Sequence, residues 1–235
     1  MTAARRAGYG PVQLAVSLRL ERWQFDRVRQ AGLIPGPDRA RGRWSAAAAA
    51  EAEARAGQIR AAAGSVPDLG AVRAAGVLSF RLGVPVTADG VEELARRRLL
   101  PVAGSYKGWP VYDGRALEAF ADTAAAAEAT RAGELRTADQ SAAYLRIRRS
   151  DLDHLTRSKI LRPVRYGRGP WDRRGEASVP LYRTGDLDRL AARPGIDWAA
   201  VRATPPGRRS PLKRLAEAET VLAVLAALPG PEARP

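Results

Sequence analysis

The hydrophobic positions of the chain repeat in three segments that follow one order. Each segment opens with a short amphipathic helix that ends in a Leu-x-aliphatic triplet: Leu18-Arg19-Leu20, Leu82-Gly83-Val84 and Leu145-Arg146-Ile147. A second helix follows, with two apolar residues three positions apart: Phe25 and Val28, Val91 and Leu94, Leu152 and Leu155. Because a helix turns once in 3.6 residues, this spacing places each pair on one buried face.

An aliphatic pair close to a proline ends each second helix: Leu33-Ile34-Pro35, Leu99-Leu100-Pro101, and Ile160-Leu161 with Pro163. Proline has no backbone N–H, so the helix cannot continue through it. A stretch that combines glycine with aromatic and basic residues comes next and predicts a short β-hairpin: residues 35–44, 101–112 and 163–182. A further helix is predicted after each hairpin, over residues 45–63, 113–122 and 184–192.

The spacing of these segments indicates duplication. Leu33 and Leu99 are 66 residues apart, and Leu99 and Ile160 are 61 residues apart. We therefore predict three tandem domains over residues 12–64, 65–123 and 137–204, followed by a basic linker and a C-terminal helix over residues 205–228. An alanine-rich stretch at residues 124–133 predicts a helix that joins the second and third domains.

The order helix, turn, helix, hairpin, helix resembles the winged helix-turn-helix DNA-binding domain of the MerR and excisionase-like superfamily. The likeness is carried by Leu82-Gly83-Val84, Arg98-Leu99-Leu100-Pro101, residues 112–117, Leu145-Arg146-Ile147 and residues 181–187. The first segment departs most, with an alanine run over residues 46–50. The resemblance implies a mainly α fold with small β-hairpin wings. It also implies that each second helix enters the major groove while the wing contacts the flanking backbone or the minor groove.

The charge of the chain is large and uneven. Lysine and arginine number 39 against 25 acidic residues, which gives a net charge of +14. The net charge is +6 over residues 1–64, −1 over residues 65–134 and +10 over residues 137–214. A chain this basic is attracted to polyanions, and the planar guanidinium of arginine suits both phosphate and guanine. GC-rich codons are an alternative explanation for arginine over lysine, but they do not explain the net charge.

We expect the first and third segments to bind duplex DNA. Glutamine can pair with adenine and arginine with guanine, so the polar faces of the second helices and the cationic wings are the candidate contacts. In the first segment these are Arg22, Gln24, Arg27, Arg39, Arg41 and Arg43. In the third segment they are Arg148, Arg149, Ser150, His154, Arg165, Tyr166, Arg168, Arg173 and Arg174.

The second segment carries carboxylates on the equivalent helix, at Asp89, Glu92 and Glu93. Phosphates repel carboxylates, so we expect this segment to be a spacer or a partner-binding module. The five tryptophans are expected to be core or wing-anchor residues rather than stacking platforms: Trp23, Trp44, Trp109, Trp171 and Trp198.

Several kinds of chemistry are not expected from this composition. The chain has no cysteine and one histidine, His154, which argues against disulfides, zinc sites and a catalytic triad. We expect no enzyme activity, no cofactor and no metal. No apolar run approaches the roughly 20 residues of a membrane span, and no segment resembles a signal peptide. The expected location is the cytoplasm, in association with the nucleoid, with no membrane partner.

The sequence thus predicts sequence-specific DNA binding, as a bacterial transcriptional regulator or an accessory factor of a mobile element. Two alternatives stay open. One is an architectural or partition-type protein that coats DNA, and the other is an adaptor whose winged helices bind protein partners. The C-terminal helix over residues 212–228 would pack on the third segment or pair two copies as a homodimer, which would place half-sites one helical turn or a multiple apart.

Overall fold

The computed structural model describes residues 8–168 and 178–213. This part of the chain is mainly helical and contains two small antiparallel sheets of three strands each. The described residues divide into two compact units. One comprises the residues up to Leu82 together with Arg97–Asp122, and the other comprises Gly83–Arg96 together with the residues from Thr123 onward. The second predicted segment is therefore shared between the two units.

The described residues form twelve helices and six strands. In chain order they are α1 Pro11–Ser17, α2 Arg22–Gln30, α3 Ala46–Ala54, α4 Ala56–Ala63, β1 Leu69–Gly70, α5 Ala71–Leu82, α6 Ala88–Arg96, β2 Val102–Tyr106, β3 Trp109–Tyr112, α7 Gly114–Ala119, α8 Thr123–Gly133, β4 Leu135–Thr137, α9 Ala138–Leu145, α10 Arg149–Arg157, β5 Arg165–Arg168, β6 Ser178–Arg183, α11 Thr184–Ala191 and α12 Trp198–Ala203. The single helix predicted over residues 45–63 is interrupted at Arg55, which separates α3 from α4.

Six left-handed residues mark the same positions in three repeats of this order. One or two positions after the first helix of each repeat comes Arg19, Gly83 or Arg146, with φ of 55°, 67° and 57°. Two positions after the second helix comes Gly32, Arg98 or Lys159, with φ of 67°, 61° and 61°. A left-handed residue after a helix lets the chain reverse while its N–H groups bond back to the last turn. Four of these six residues are not glycine, although residues other than glycine take this conformation rarely.

The strands repeat in the same way. The two sheets have the orders β1-β3-β2 and β4-β6-β5, so the strand before the first helix always pairs with the last strand of the hairpin. In the first repeat the sheet is reduced to two isolated bridges, Tyr9 with Trp44 and Arg39 with Arg43. A buried aromatic residue ends each hairpin: Trp44, Tyr112 and Tyr182. These rings anchor each hairpin to the helices of its repeat.

The apolar pairs predicted from the sequence are buried. Phe25 and Val28 pack with Leu14 and Trp44 in the core of the first repeat, where the rings of Phe25 and Trp44 meet edge to face at 5.8 Å. Leu152 and Leu155 belong to a second core with Tyr182. Among the residues described, no helix combines the length and apolar character that crossing a bilayer requires.

Candidate nucleic-acid interface

The third residue of each second helix faces the protein rather than solvent. Gln24, Gly90 and Asp151 are the third residues of α2, α6 and α10. Gln24 Nε2 donates to the carbonyl of Gly64 at 2.7 Å, and the carboxylate of Asp151 is hydrogen-bonded by Ser210. At Gly90 a β-carbon would lie only 2.9 Å from the α-carbon of Thr130.

Each of these contacts comes from a later segment of the chain. That segment is the end of α4 for the first repeat, α8 for the second and residues 205–213 for the third. The second helices are therefore exposed on their remaining sides only, and an interface with DNA has to use those sides.

Arg27, a predicted DNA contact, belongs to the packed side of α2. Its guanidinium donates to the carbonyls of Ala63 and Val66 at 2.7 and 3.1 Å and pairs with Asp68 at 2.6 Å. It also lies 4.9 Å from the ring centroid of Trp23. The structure thus places Arg27, like Gln24, between α2 and the residues that follow α4.

Three predicted arginines of the first repeat project into solvent. Arg22 is the first residue of α2, and Arg39 and Arg41 lie in the hairpin, where Arg41 and Gly42 form a left-handed turn. Among the described residues, none of these three guanidinium groups has an ion-pair partner within 4 Å. Arg43 is also exposed, but it donates to the carbonyl of Gly8 at 2.8 Å. Arg22, Arg39 and Arg41 form the exposed cationic set of the first repeat.

Arg148 has a different environment from the one the sequence suggests. It precedes α10, and its Nε and Nη2 donate to the two carboxylate oxygens of Asp151 at 2.9 Å each. Its Nη1 donates to the carbonyls of Pro205 and Arg208 at 3.0 Å. The side chain of Arg148 therefore fastens residues 205–213, which we call the strap, to the start of α10.

Asp151 is fully buried beneath this strap. Burial alone would raise the pKa of its carboxyl group, but the hydrogen bonds from Arg148 and Ser210 outweigh that effect and hold the pKa below its ordinary value. The hydrogen bonds between Arg148 and Asp151 also raise the pKa of Arg148. The carboxylate is thus charged and fully paired at neutral pH, and the strap is held electrostatically.

The outer side of α10 carries the other predicted contacts of the third repeat. Arg149 is about half exposed and shares its guanidinium between Asp139 at 2.7 Å and Asp153 at 3.2 Å. Ser150 is exposed and His154 is partly exposed. Arg157, which the helical pattern also places on the polar side of this helix, is exposed and donates to the backbone carbonyl of Asp153. Arg149, Ser150 and Arg157 are therefore within reach of a ligand on this side.

The hairpin wing of the third repeat forms ion pairs with α6. Arg165, another predicted contact, pairs with Asp89 and with Glu92, the latter at 4.0 Å. Tyr166 is exposed, and Arg168 is the last residue of β5. Arg173 and Arg174 lie outside the described residues, as do Trp171 and most of the predicted C-terminal helix.

The acidic face of α6 meets arginines within the protein. Arg183 lies 3.8 Å from both Glu92 and Glu93, and Arg96 Nε donates to Glu93 at 2.7 Å. Glu93 is fully buried, and α6 packs closely against α8. The second helix of the second repeat thus has little surface left for an external ligand.

A cationic cleft in the third repeat was missed by the sequence analysis. It has a volume of about 810 Å³ and is lined in part by Lys159, Arg162, Arg189 and Arg193. Asp186 also lines it and pairs with Arg189. The signal available in the sequence was the pair Lys159 and Arg162, which brackets the apolar Ile160-Leu161. Four cations around one carboxylate can attract a phosphate group.

The expectation that the tryptophans are core or wing anchors is wrong for Trp109. Trp44 is buried, and Trp198 packs against the core of the third repeat. Trp109, in contrast, is 70% exposed. It points away from the core because strand residues alternate between faces, and the buried ring of this hairpin is Tyr112, three positions later.

Comparison with protein-family models, with curated proteins and with solved structures finds no match to this chain. Within the described ranges, no group of three or more potential metal-ligating side chains clusters. The interpretation of the surface therefore depends on its own charge and geometry.

Proposed function

We propose that the chain binds duplex DNA in a sequence-specific manner, through winged helix-turn-helix domains formed by its first and third repeats. The observation that carries this proposal is the distribution of exposed arginines over the three repeats. In the first and third repeats they lie on the second helix and beside it. In the second repeat the same helix is acidic and packed against α8.

The first repeat supplies the clearest set of contacts. Arg22 lies at the start of α2, where a side chain can reach base edges when the helix lies in the major groove. Arg39 and Arg41 lie on the hairpin, where they can contact phosphates beside the groove. Gly42 in the same turn has no side chain and lets the backbone approach a phosphate.

The third repeat offers a similar arrangement with more polar groups. Arg149, Ser150 and Arg157 lie on the outer side of α10, and the cationic cleft lies beyond the end of that helix. Arg148 and Asp151 take no direct part, because they hold the strap. Their role is to position α10 and to keep Arg208 of the strap near its start.

The acidic second repeat acts as a spacer in this proposal. Its carboxylates neutralise Arg165 and Arg183 rather than face phosphates. The protein would then act as a regulator of transcription or as an accessory factor of a mobile element, with two contact regions along one duplex.

A selection experiment tests the proposal. The full chain is incubated with a pool of random-sequence duplexes, and bound molecules are amplified and sequenced over several rounds. We expect enrichment of a short motif and, by footprinting, a protected site of limited length. Protection that spreads along any DNA would instead favour a coating protein. Failure to retain any duplex at low salt would contradict both.

A protein-binding adaptor is the second candidate, and one surface favours it. Between α1 and α2 lies a groove of about 580 Å³ lined by Val12, Val16, Leu20 and Phe25, with Arg22 and Arg29 at its edge. Val12 and Val16 are largely exposed. An adaptor would tolerate neutralisation of Arg39 and Arg41 but not Val16→Asp, whereas DNA binding requires those arginines.

A further inference from the structure

The sheet β1-β3-β2 exposes two aromatic rings on its solvent side. Tyr106 and Trp109 are direct cross-strand partners, and they are 66% and 70% exposed. Residues directly opposite each other on antiparallel strands project from the same face. Tyr112 projects from the other face into the core, so both exposed rings lie together on the outside.

The surface next to these rings is flat because it is made largely of glycine. Val111 lies on the same face as Trp109 and pairs with Gly70 on one side and with Gly104 on the other. A β-carbon at either glycine would meet no atom within 4 Å. The sheet backbone is thus open to a ligand beside the aromatic pair.

Lys107, in the turn between β2 and β3, adds one positive charge beside the aromatic rings. Lys107 and Gly108 form the two-residue turn, with φ of 51° and 82°, and the lysine ammonium lies 5.4 Å from the ring centroid of Tyr106. Turns of this kind favour asparagine or glycine at the first position. The hairpin from Val102 to Tyr112 contains no carboxylate, and Lys107 is its one charged residue.

We propose that this surface binds unpaired bases of single-stranded DNA. We call it the aromatic platform and define it by Tyr106, Trp109, Lys107, Gly70 and Gly104. Bases have flat π faces that stack on tyrosine and tryptophan, and such stacking tolerates any sequence. The ammonium of Lys107 matches the charge of the adjoining phosphate, and the two glycines leave room for the sugar–phosphate chain.

This inference goes beyond the proposed duplex interface and does not depend on it. An aromatic platform of this kind stacks on unpaired bases, whereas the arginines of the first and third repeats are proposed to bind duplex DNA. The two sites can therefore be measured with different probes.

The test measures binding of the full chain to a fluorescein-labelled oligothymidylate of about 20 nucleotides by fluorescence anisotropy. Trp109→Ala and Tyr106→Ala should each weaken binding by about 5- to 100-fold, since one stacked base is lost. Trp109→Phe should retain most of the affinity. Lys107→Gln should lower the slope of log affinity against log salt by about 0.7.

Phe80→Ala is the matched control. Phe80 lies on α5 in the same unit and is 91% exposed, so its removal takes away an equally accessible ring outside the platform. We expect the oligonucleotide affinity of this variant to stay within about twofold of wild type. Melting temperatures of all variants should match wild type, because each altered side chain is exposed.

Three results would overturn the inference: unchanged affinity in Trp109→Ala, equal losses in Trp109→Ala and Phe80→Ala, or an equal loss of affinity for a fully paired duplex. The last result would mean that the hairpin contacts phosphates rather than bases. A chain that binds the oligonucleotide through Trp109 but binds no duplex would support the platform and contradict the proposed function.

Discussion

Arg148 and Asp151 are joined by two hydrogen bonds of 2.9 Å at the start of α10, and the carboxylate of Asp151 is fully buried. The same guanidinium bonds to two carbonyls of the strap, and Ser210 of the strap bonds to the same carboxylate. Arg148, which the sequence pattern assigns to DNA recognition, therefore fixes a distant segment of the chain together with Asp151.

Asp151→Asn should destabilise the protein by about 2–4 kcal/mol, because it leaves Arg148 without its charged partner in a mostly buried site. The free energy of unfolding from urea titration measures the effect. Asp153→Asn is the control on the same helix, where a half-exposed pair with Arg149 should contribute less than about 1 kcal/mol. Equal losses in the two variants would contradict the assignment.

Acid should remove the contribution of Asp151. Its pKa in the folded protein lies below the ordinary value of 3.8, so the stabilisation is fully present above that value. It is lost as the pH falls below about 4 and through the folded pKa. The difference in unfolding free energy between wild type and Asp151→Asn should therefore be constant from pH 7 to about 5 and shrink toward pH 3. A difference that does not change with pH would contradict this.

Gly90→Ala should be destabilising by about 1–3 kcal/mol, since the added methyl group would overlap Thr130 where α6 packs on α8. Gly76 is also within a helix, but a β-carbon there meets no atom within 4 Å. Gly76→Ala should therefore stabilise by about 0.4–1 kcal/mol through the unfolded state. If α6 is packed as described, thermal denaturation should show a lower melting temperature for Gly90→Ala and a higher one for Gly76→Ala than for wild type.

Replacing Arg27 should lower the stability of the fold, whereas replacing Arg22 should weaken duplex binding. Arg27→Ala removes a side chain that bonds two carbonyls and Asp68, so it should lower stability by about 1–3 kcal/mol. Arg22→Ala should change stability by less than about 0.5 kcal/mol but weaken duplex binding. Urea unfolding and duplex titration of each variant separate the two roles. A large stability loss in Arg22→Ala would be inconsistent with its exposed position.

The repeated helices and turns could be predicted because their causes are local. The Leu-x-aliphatic triplets place a left-handed residue at Arg19, Gly83 and Arg146, and the alanine-rich stretch forms α8 within one residue of its predicted start. These features depend on hydrophobic periodicity and on residues that end helices, which neighbours in sequence determine.

The use of individual polar residues could not be predicted in the same way. Helical periodicity shows which side of α2 or α10 faces its own core, but not which later segment approaches another side. Gln24 meets Gly64, and Asp151 meets Ser210, across 40 and 59 positions of the chain. The exposure of Trp109 could have been predicted from the sequence. Once the turn at Lys107 is located, residues 109–112 form one strand, and the alternation of side chains places Trp109 on the face opposite to the buried Tyr112.

The salt dependence of duplex binding tests the central claim most directly. The dissociation constant for a duplex of about 30 base pairs is measured across a salt series for wild type and two triple variants. One replaces Arg22, Arg39 and Arg41 with alanine, and the other replaces three further exposed arginines of the same unit, Arg55, Arg73 and Arg115.

We predict that the slope of log affinity against log salt falls by about 1.8 in the first variant, because Arg39 and Arg41 each lose one phosphate contact that contributes about 0.9. The second variant, with the same change in net charge, should lose less than about 1. Equal slopes in the two variants, or a wild-type affinity that does not depend on salt, would contradict the proposed interface.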